Sequence, residues 1–163
     1  MKIYHLKRKQ FLPITLEEAW RFFSTPRNLA RITPAYMNFK ILYVSAEEKG
    51  VYAGQIIRYV VNILPGINVG WVTEITHVHA PYRFIDEQRF GPYAMWHHQH
   101  HFEEVPGGVE MTDEVNYAIP FGFIGRMANW LFVGRKVNAI FDYRYTVLEK
   151  LFTKNELVVK RSA

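Results

Sequence analysis

Four histidines crowd into one short run, Trp96-His97-His98-Gln99-His100-His101-Phe102. In an extended strand, successive side chains point to opposite faces, so Trp96, His98, His100 and Phe102 share one face. His97, Gln99, His101 and Glu103 share the other. The first set holds the bulky apolar residues and the second is wholly polar, which turns the first inward. Pro106-Gly-Gly108 then reverses the chain. If Glu104 pairs with Val109 across that turn, Phe102 opposes Met111, His100 opposes Asp113 and His98 opposes Val115. Directly opposite side chains in an antiparallel pair lie about 4.5–5.5 Å apart at Cβ, so an inward His100–Asp113 pair is expected. Such a pair has three uses: satisfying itself at the core edge, contacting a ligand, or passing a proton as a general acid or base. The carboxylate favours an imidazolium while burial opposes it, and the sequence leaves both outcomes open.

His-x-His on one strand face can also supply two imidazole ligands to a metal. Both faces offer such a pair, His98 with His100 and His97 with His101, with Asp113 as the evident third ligand. With no cysteine and no His-Glu-x-x-His motif, we expect neither metal nor cofactor. Upstream, Phe84, Asp86, Gln88 and Phe90 alternate against Ile85, Glu87 and Arg89. We place the phenylalanine set inward, which brings Asp86 and Gln88 towards the site and leaves Glu87 and Arg89 as a solvated pair. Aromatic side chains that could wall a pocket are Tyr59, Trp71, Trp96, Trp130 and Phe141, with Met127 beside them. The polar ligand-facing candidates are Asp86, Gln88, His98, His100 and Asp113.

The element that must close such a site is the stretch from Pro120 to about Phe152. Ile124, Met127, Ala128, Leu131, Phe132, Ile140, Phe141, Leu148 and Leu151 recur at helical spacing on or near one stripe, the signature of one buried face. Arg126, Arg135, Lys136, Asn138, Asp142 and Lys150 lie opposite. Gly134 interrupts the run and suggests a close contact there. Before this helix the pattern is mostly of strands. Residues 2–11 read as a first strand ending at Pro13. Thr15-Leu-Glu-Glu18 is a capping box that opens a short helix with Ala19, Phe22 and Phe23 on its apolar side. Ser24 or Thr25 with Pro26 opens a second, carrying Leu29 and Ile32 inward. From Phe39 the period becomes two, giving strands at 39–46, 54–62, 70–79, 83–90, 94–104 and 109–118, joined by turn residues as an antiparallel meander. We expect one α+β domain over residues 1–152, a curved antiparallel sheet gripping one long helix, and a tail over 153–163.

Composition narrows the function classes. Half the residues are apolar and 16% aromatic, which supports a packed core, and the absence of cysteine removes disulfides and thiol chemistry. Neither a signal core nor a bilayer-spanning apolar run is present, so we read the chain as soluble and cytoplasmic. The net charge of +5 is scattered along the chain, and its one cluster, Lys7-Arg8-Lys9, sits in a strand, so nucleic acid is not the expected partner.

One strand, two short helices, a meander and a long terminal helix is an order that resembles the helix-grip superfamily. That group includes START-related lipid-transfer domains, birch-pollen-type allergens, polyketide cyclases and coenzyme Q-binding proteins. The nearer resemblance is to its bacterial SRPBCC-type members, some of them labelled cell-division inhibitors. It runs from Leu12-Pro13 to Arg144 and rests on 12–20, Pro26-Arg-Asn-Leu29, Ile32-Thr-Pro34, Gly54-Gln-Ile-Ile-Arg-Tyr59 and Trp71-Val-Thr-Glu-Ile75. It continues through 86–93, Trp96 to Phe102, Pro120-Phe-Gly122 and Ile140-Phe-Asp-Tyr-Arg144. The resemblance implies a hydrophobic or amphipathic ligand, such as a lipid, quinone or polyketide, between sheet and helix. It also implies an alternative, a cyclase- or dehydratase-type enzyme using His100 and Asp113. Leu64-Pro-Gly-Ile-Asn68 and Pro120-Phe-Gly-Phe123 are expected to frame the pocket mouth, where Ile67 and Phe123 could touch a membrane transiently.

Overall fold

A computed structural model describes residues 1–64 and 66–159. Seven strands form one antiparallel sheet: β1 (Tyr4–Leu12), β2 (Lys40–Val44), β3 (Ile56–Leu64), β4 (Ile67–His79), β5 (Arg83–Phe90), β6 (Met95–Val105) and β7 (Gly108–Ala118). Their order across the sheet is β1-β7-β6-β5-β4-β3-β2. The meander from β2 to β7 therefore pairs neighbours in sequence, and β1 closes on β7. The curved sheet and the long C-terminal helix make this an α+β helix-grip fold.

Local chemistry explains the elements. In β7, Val109, Met111, Asp113, Val115 and Tyr117 are buried and the residues between them are not, the period of a sheet with one covered face. Helix α1 (Leu16–Phe23) starts at the expected capping box: Glu18 N–H donates to Thr15, and the Glu18 carboxylate accepts from the Thr15 N–H. Its buried face is Leu16, Ala19 and Phe22. The segment after Pro26 is a 3-10 helix over Pro26–Ile32, with Ile32 buried. The basic run of β1 faces partners already in the fold. Lys7 and His5 meet Glu114, Lys9 meets Glu110, and Arg8 meets Asp142 on the long helix.

The C-terminal helix departs most from expectation. It forms as α2 (Gly122–Ala128), a π turn over Asn129–Val133, and α3 (Gly134–Val159). The π turn takes in one residue more than an α-helix would, which rotates the residues before it by roughly 100° relative to those after it. After the turn, Phe141 and Leu148 of the predicted stripe are buried, together with Val137 and Arg144, and Ile140 and Leu151 are half-buried. Before it, Gly125 and Asn129 are buried, while Ile124, Met127, Trp130 and Leu131 face out. The predicted inward stripe is thus correct only from about Val137 onward. Gly134 is where the turn closes: its N–H donates to the Asn129 carbonyl, and a Cβ there would stand 3.2 Å from that oxygen. Asn129 in turn accepts from the buried Tyr117 hydroxyl at 3.1 Å. The helix also continues past Phe152 to Val159, through Thr153-Lys-Asn-Glu-Leu-Val-Val, which contains neither glycine nor proline to stop it.

Two buried clusters flank the space between sheet and helix. One joins α1, the 3-10 helix, the central strands, Leu148 and Phe152; the other joins Leu6, Val115, Tyr117, Val137 and Phe141. Among the described residues no helix is long and apolar enough to cross a membrane.

Candidate functional site

Between those clusters lies a cavity of about 320 Å³, within the size range of small-molecule sites. Its walls are mainly apolar. Trp71 stacks on Tyr59 at 5.7 Å between ring centroids and meets Trp96 edge-on at 5.4 Å. Phe141, Val137 and Ile140 close it from α3, and Met37, Phe39 and Leu29 from the segment before β2.

One charged cluster interrupts this surface. The predicted β6–β7 register holds, with His100 opposite Asp113, His98 opposite Val115 and Phe102 opposite Met111. On the other side, β5 sets Asp86 opposite His98 and Phe84 opposite His100. The two imidazoles, 3.8 Å apart at their centroids, therefore stand between two carboxylates. His98 Nε2 and His100 Nδ1 lie 2.9 and 3.0 Å from Asp113 Oδ1. His100 Nε2 and His98 Nδ1 lie 3.0 and 3.3 Å from Asp86 Oδ2. Arg144 reaches Asp113 Oδ2 from α3 at 3.5 Å and lies over the Phe141 ring. His98, His100, Asp113 and Arg144 are all buried.

Proton counting sets the state of this cluster. Two neutral imidazoles offer only two N–H donors, while four ring nitrogens face carboxylate oxygens. Protonation of His98 would put one N–H towards each Asp, and its charge with that of Arg144 would then balance the two carboxylates. His100 Nε2–H then donates to Asp86. His100 Nδ1 approaches Asp113 Oδ1 to 3.0 Å. Electrostatics agrees. Burial by itself depresses the His98 pKa, but Asp86 and Asp113 outweigh it and leave it above its ordinary value. Burial raises both carboxyls, yet His98 and His100 hold Asp86 below the usual carboxylate range, and Arg144 with the two histidines holds Asp113 well below it.

Asp86, His98 and His100 each offer one ligand atom, all within 4.8 Å of one another. The third potential metal ligand is thus Asp86, not the predicted Asp113. A cation there would take the place of the direct contacts of His98 and His100 with Asp86.

Of the predicted ligand-facing residues, Tyr59, Trp71, Asp86, Trp96, His98, His100 and Phe141 line the cavity. Four do not. Asp113 is buried behind the histidines. Gln88 turns away to brace the β5–β6 loop, donating to the Tyr93 carbonyl at 2.7 Å and accepting from the Tyr93 N–H. Met127 and Trp130 are rotated to the outside by the π turn. Phe90 is exposed rather than inward, because a bulge at Val72/Thr73 shifts the β4–β5 pairing beside it. Glu87 and Arg89 do form the expected surface pair, together with Glu74.

The predicted rim loops do not line the cavity. Asn62, Ile63, Phe132 and Val133 line the cavity, whereas Gly66–Asn68 and Pro120–Phe123 do not; Pro65 and the Leu64 side chain lie outside the described residues. Lys136 bridges this end, donating to the Ile63 carbonyl at 2.9 Å.

Sequence reading missed Arg144, Asn62 and Gln55. Arg144 was detectable as a cation on the Phe141–Leu148 stripe; the other two gave no signal. These residues share a property with Trp71 and His100. Among the described residues, the buried side-chain polar atoms without a protein partner are Gln55 Oε1, Asn62 Oδ1, Trp71 Nε1, His100 Nδ1 and Arg144 Nε. Every one belongs to a residue lining this cavity.

No family model and no curated protein sequence matches the chain. Solved structures do. Protein TTHA0849 from Thermus thermophilus is 16% identical with a TM-score of 0.69, covering 93% of this chain and 99% of its own. Ara h 8.0201 is 14% identical with a TM-score of 0.56, over 91% and 99%. A norcoclaurine synthase point mutant from Thalictrum flavum, in complex with a transition-state analogue, is 11% identical with a TM-score of 0.62, over 91% and 96%. Identities this low establish the shared helix-grip fold and nothing finer.

Proposed function

We propose that this protein binds and carries a hydrophobic or amphipathic small molecule of lipid, quinone or polyketide-like character. The carrying observation is a largely aromatic cavity of about 320 Å³ whose wall is interrupted by one polar cluster, Asp86, His98 and His100. A ligand with an apolar body and a polar end complements that arrangement. The aromatic walls would take the body, and the Asp86–His98–His100 surface would take a polar end.

A second reading, proton-transfer catalysis of the cyclase or dehydratase kind, is favoured by one observation: Asp86 and His100 stand on the cavity wall while Asp113 is buried behind them as a support. In that case Asp86 and His100, rather than His100 and Asp113, would meet the reacting atoms.

Titration with 8-anilino-1-naphthalenesulfonate, followed by quenching of Trp71 and Trp96, tests the binding reading. Saturable 1:1 binding is expected, weakened about tenfold or more when Val133→Trp fills part of the cavity. Dye binding unaffected by Val133→Trp in a folded protein would place the ligand elsewhere. Once a natural ligand is extracted, His100→Ala separates the two readings. A carrier loses affinity, whereas an enzyme keeps affinity within a few-fold and loses about 10²–10⁴ in turnover.

A further inference from the structure

We infer that the outer face of the helix over residues 121–132 docks on an anionic lipid surface. The first observation is an inversion. This helical segment buries its glycine and its amide, Gly125 and Asn129, and exposes its large apolar side chains. Phe121 is 80% exposed, Trp130 79%, Phe123 69% and Ile124 65%, with Met127 and Leu131 continuing the patch. A helix held by its own core does the opposite, and contiguous exposed apolar surface marks an interaction site. The inversion is built in at both ends. A Cβ on Gly125 would stand 1.9 Å from the Pro120 carbonyl oxygen, so this face is pressed too tightly against the chain to take a larger residue. The π turn then fixes Asn129 rather than Trp130 as the inward residue.

The second observation selects the partner. From Val115 to Phe141 the charged residues are Arg126, Arg135 and Lys136, with no acidic residue. From Ala19 to Ala46, which supplies part of the cavity lining, they are Arg21, Arg27, Arg31 and Lys40, of which Arg27 is paired with Glu47. The hairpin between Tyr59 and Thr73 carries no charge. A symmetric dimer through the helix would bring Arg126 and Arg135 against their own copies. A surface of anionic headgroups over acyl chains instead meets both features, apolar rings flanked by cations. Phe132 and Val133 continue from this face into the cavity wall, so the docked face adjoins the cavity. The inference stands whether or not the cavity carries cargo.

Vesicle co-sedimentation with the full chain provides the test, using phosphatidylcholine vesicles with and without phosphatidylglycerol. Sedimentation is expected with the anionic vesicles, weakened by high salt, with a blue shift in tryptophan emission that Trp130→Phe removes. Phe123→Ser with Trp130→Ser should lower partitioning about tenfold or more, while the circular dichroism spectrum stays unchanged. Arg126→Glu with Arg135→Glu should abolish the preference for phosphatidylglycerol. Absence of binding to either vesicle, or binding that survives the Phe123/Trp130 double variant, overturns the proposal. A dimer in sedimentation equilibrium that this double variant dissociates, without vesicle binding, would assign the face to self-association instead.

Discussion

Replacing Asp113 by Asn keeps the side chain's shape and removes its charge at the most connected point of the cluster. Asp113 is 2% exposed; Oδ1 faces His98 and His100, and Oδ2 faces Arg144. An amide can accept through its oxygen from only one side, so its NH₂ must confront either an imidazolium N–H or the guanidinium. The buried cation left without its carboxylate makes this a broken ion pair, which costs about 3–5 kcal/mol. For a chain of this size each kcal/mol shifts the melting temperature by about 2–4 °C, so the melt should fall by roughly 6–20 °C. Urea denaturation at neutral pH measures the free energy directly. A cycle with Arg144→Met identifies the cause: with the guanidinium gone, Asp113→Asn should cost clearly less than in the parent. A shift below about 2 °C, or strict additivity in the cycle, would refute the charge-balanced network and the His98 protonation argued from it.

The same cluster dictates a pH profile. The pKa of His98 is raised in the fold, so its contribution is complete below its unfolded value near 6.5 and is lost as pH rises through the folded value. Asp86 and Asp113 are lowered, so theirs are complete above about 3.8 and are lost as pH falls. Thermal melts should therefore show this contribution at its fullest between about pH 4 and 6.5, and Asp113→Asn should flatten the acid side. Metal analysis of untagged protein should find zinc and iron well below one per chain. A stoichiometric metal lost from a His98→Ala, His100→Ala variant would instead make Asp86 and the histidines ligands. Gly125→Ala should destabilise the chain by more than the stabilisation alanine ordinarily brings to a helix, because Pro120 must move to admit the Cβ; an unchanged or higher melting temperature would show that the close approach is not held.

Much of the fold was legible because each element carried its own local signal. The capping box at Thr15, the turn at Pro106-Gly-Gly108 and the period-two pattern of 109–118 needed no tertiary information, and the His100–Asp113 register followed from them. The central sheet face was legible for the same reason. What failed depended on single-residue insertions. One extra residue in the π turn rotated the apparent inward face of residues 123–131, so Met127, on the stripe by periodicity, and Trp130, expected as a wall aromatic, left the cavity. A bulge opposite Phe90 did the same at the end of β5. Periodicity is blind to such insertions because it assumes constant phase. Asp86 as the second carboxylate, facing both histidines, required the β5–β6 register on top of the β6–β7 one. Asn62 and Gln55 carried no motif at all; only their burial without partners distinguishes them.

Whether the cavity holds an amphipathic small molecule is answered by native mass spectrometry of the gently purified chain. A population heavier than the bare chain by one defined small-molecule mass is expected. That adduct should be released by mild activation, recoverable in organic extract, and strongly depleted in Val133→Trp. A bare mass throughout, with no extractable molecule and no 8-anilino-1-naphthalenesulfonate binding by the parent protein, would contradict the carrier function.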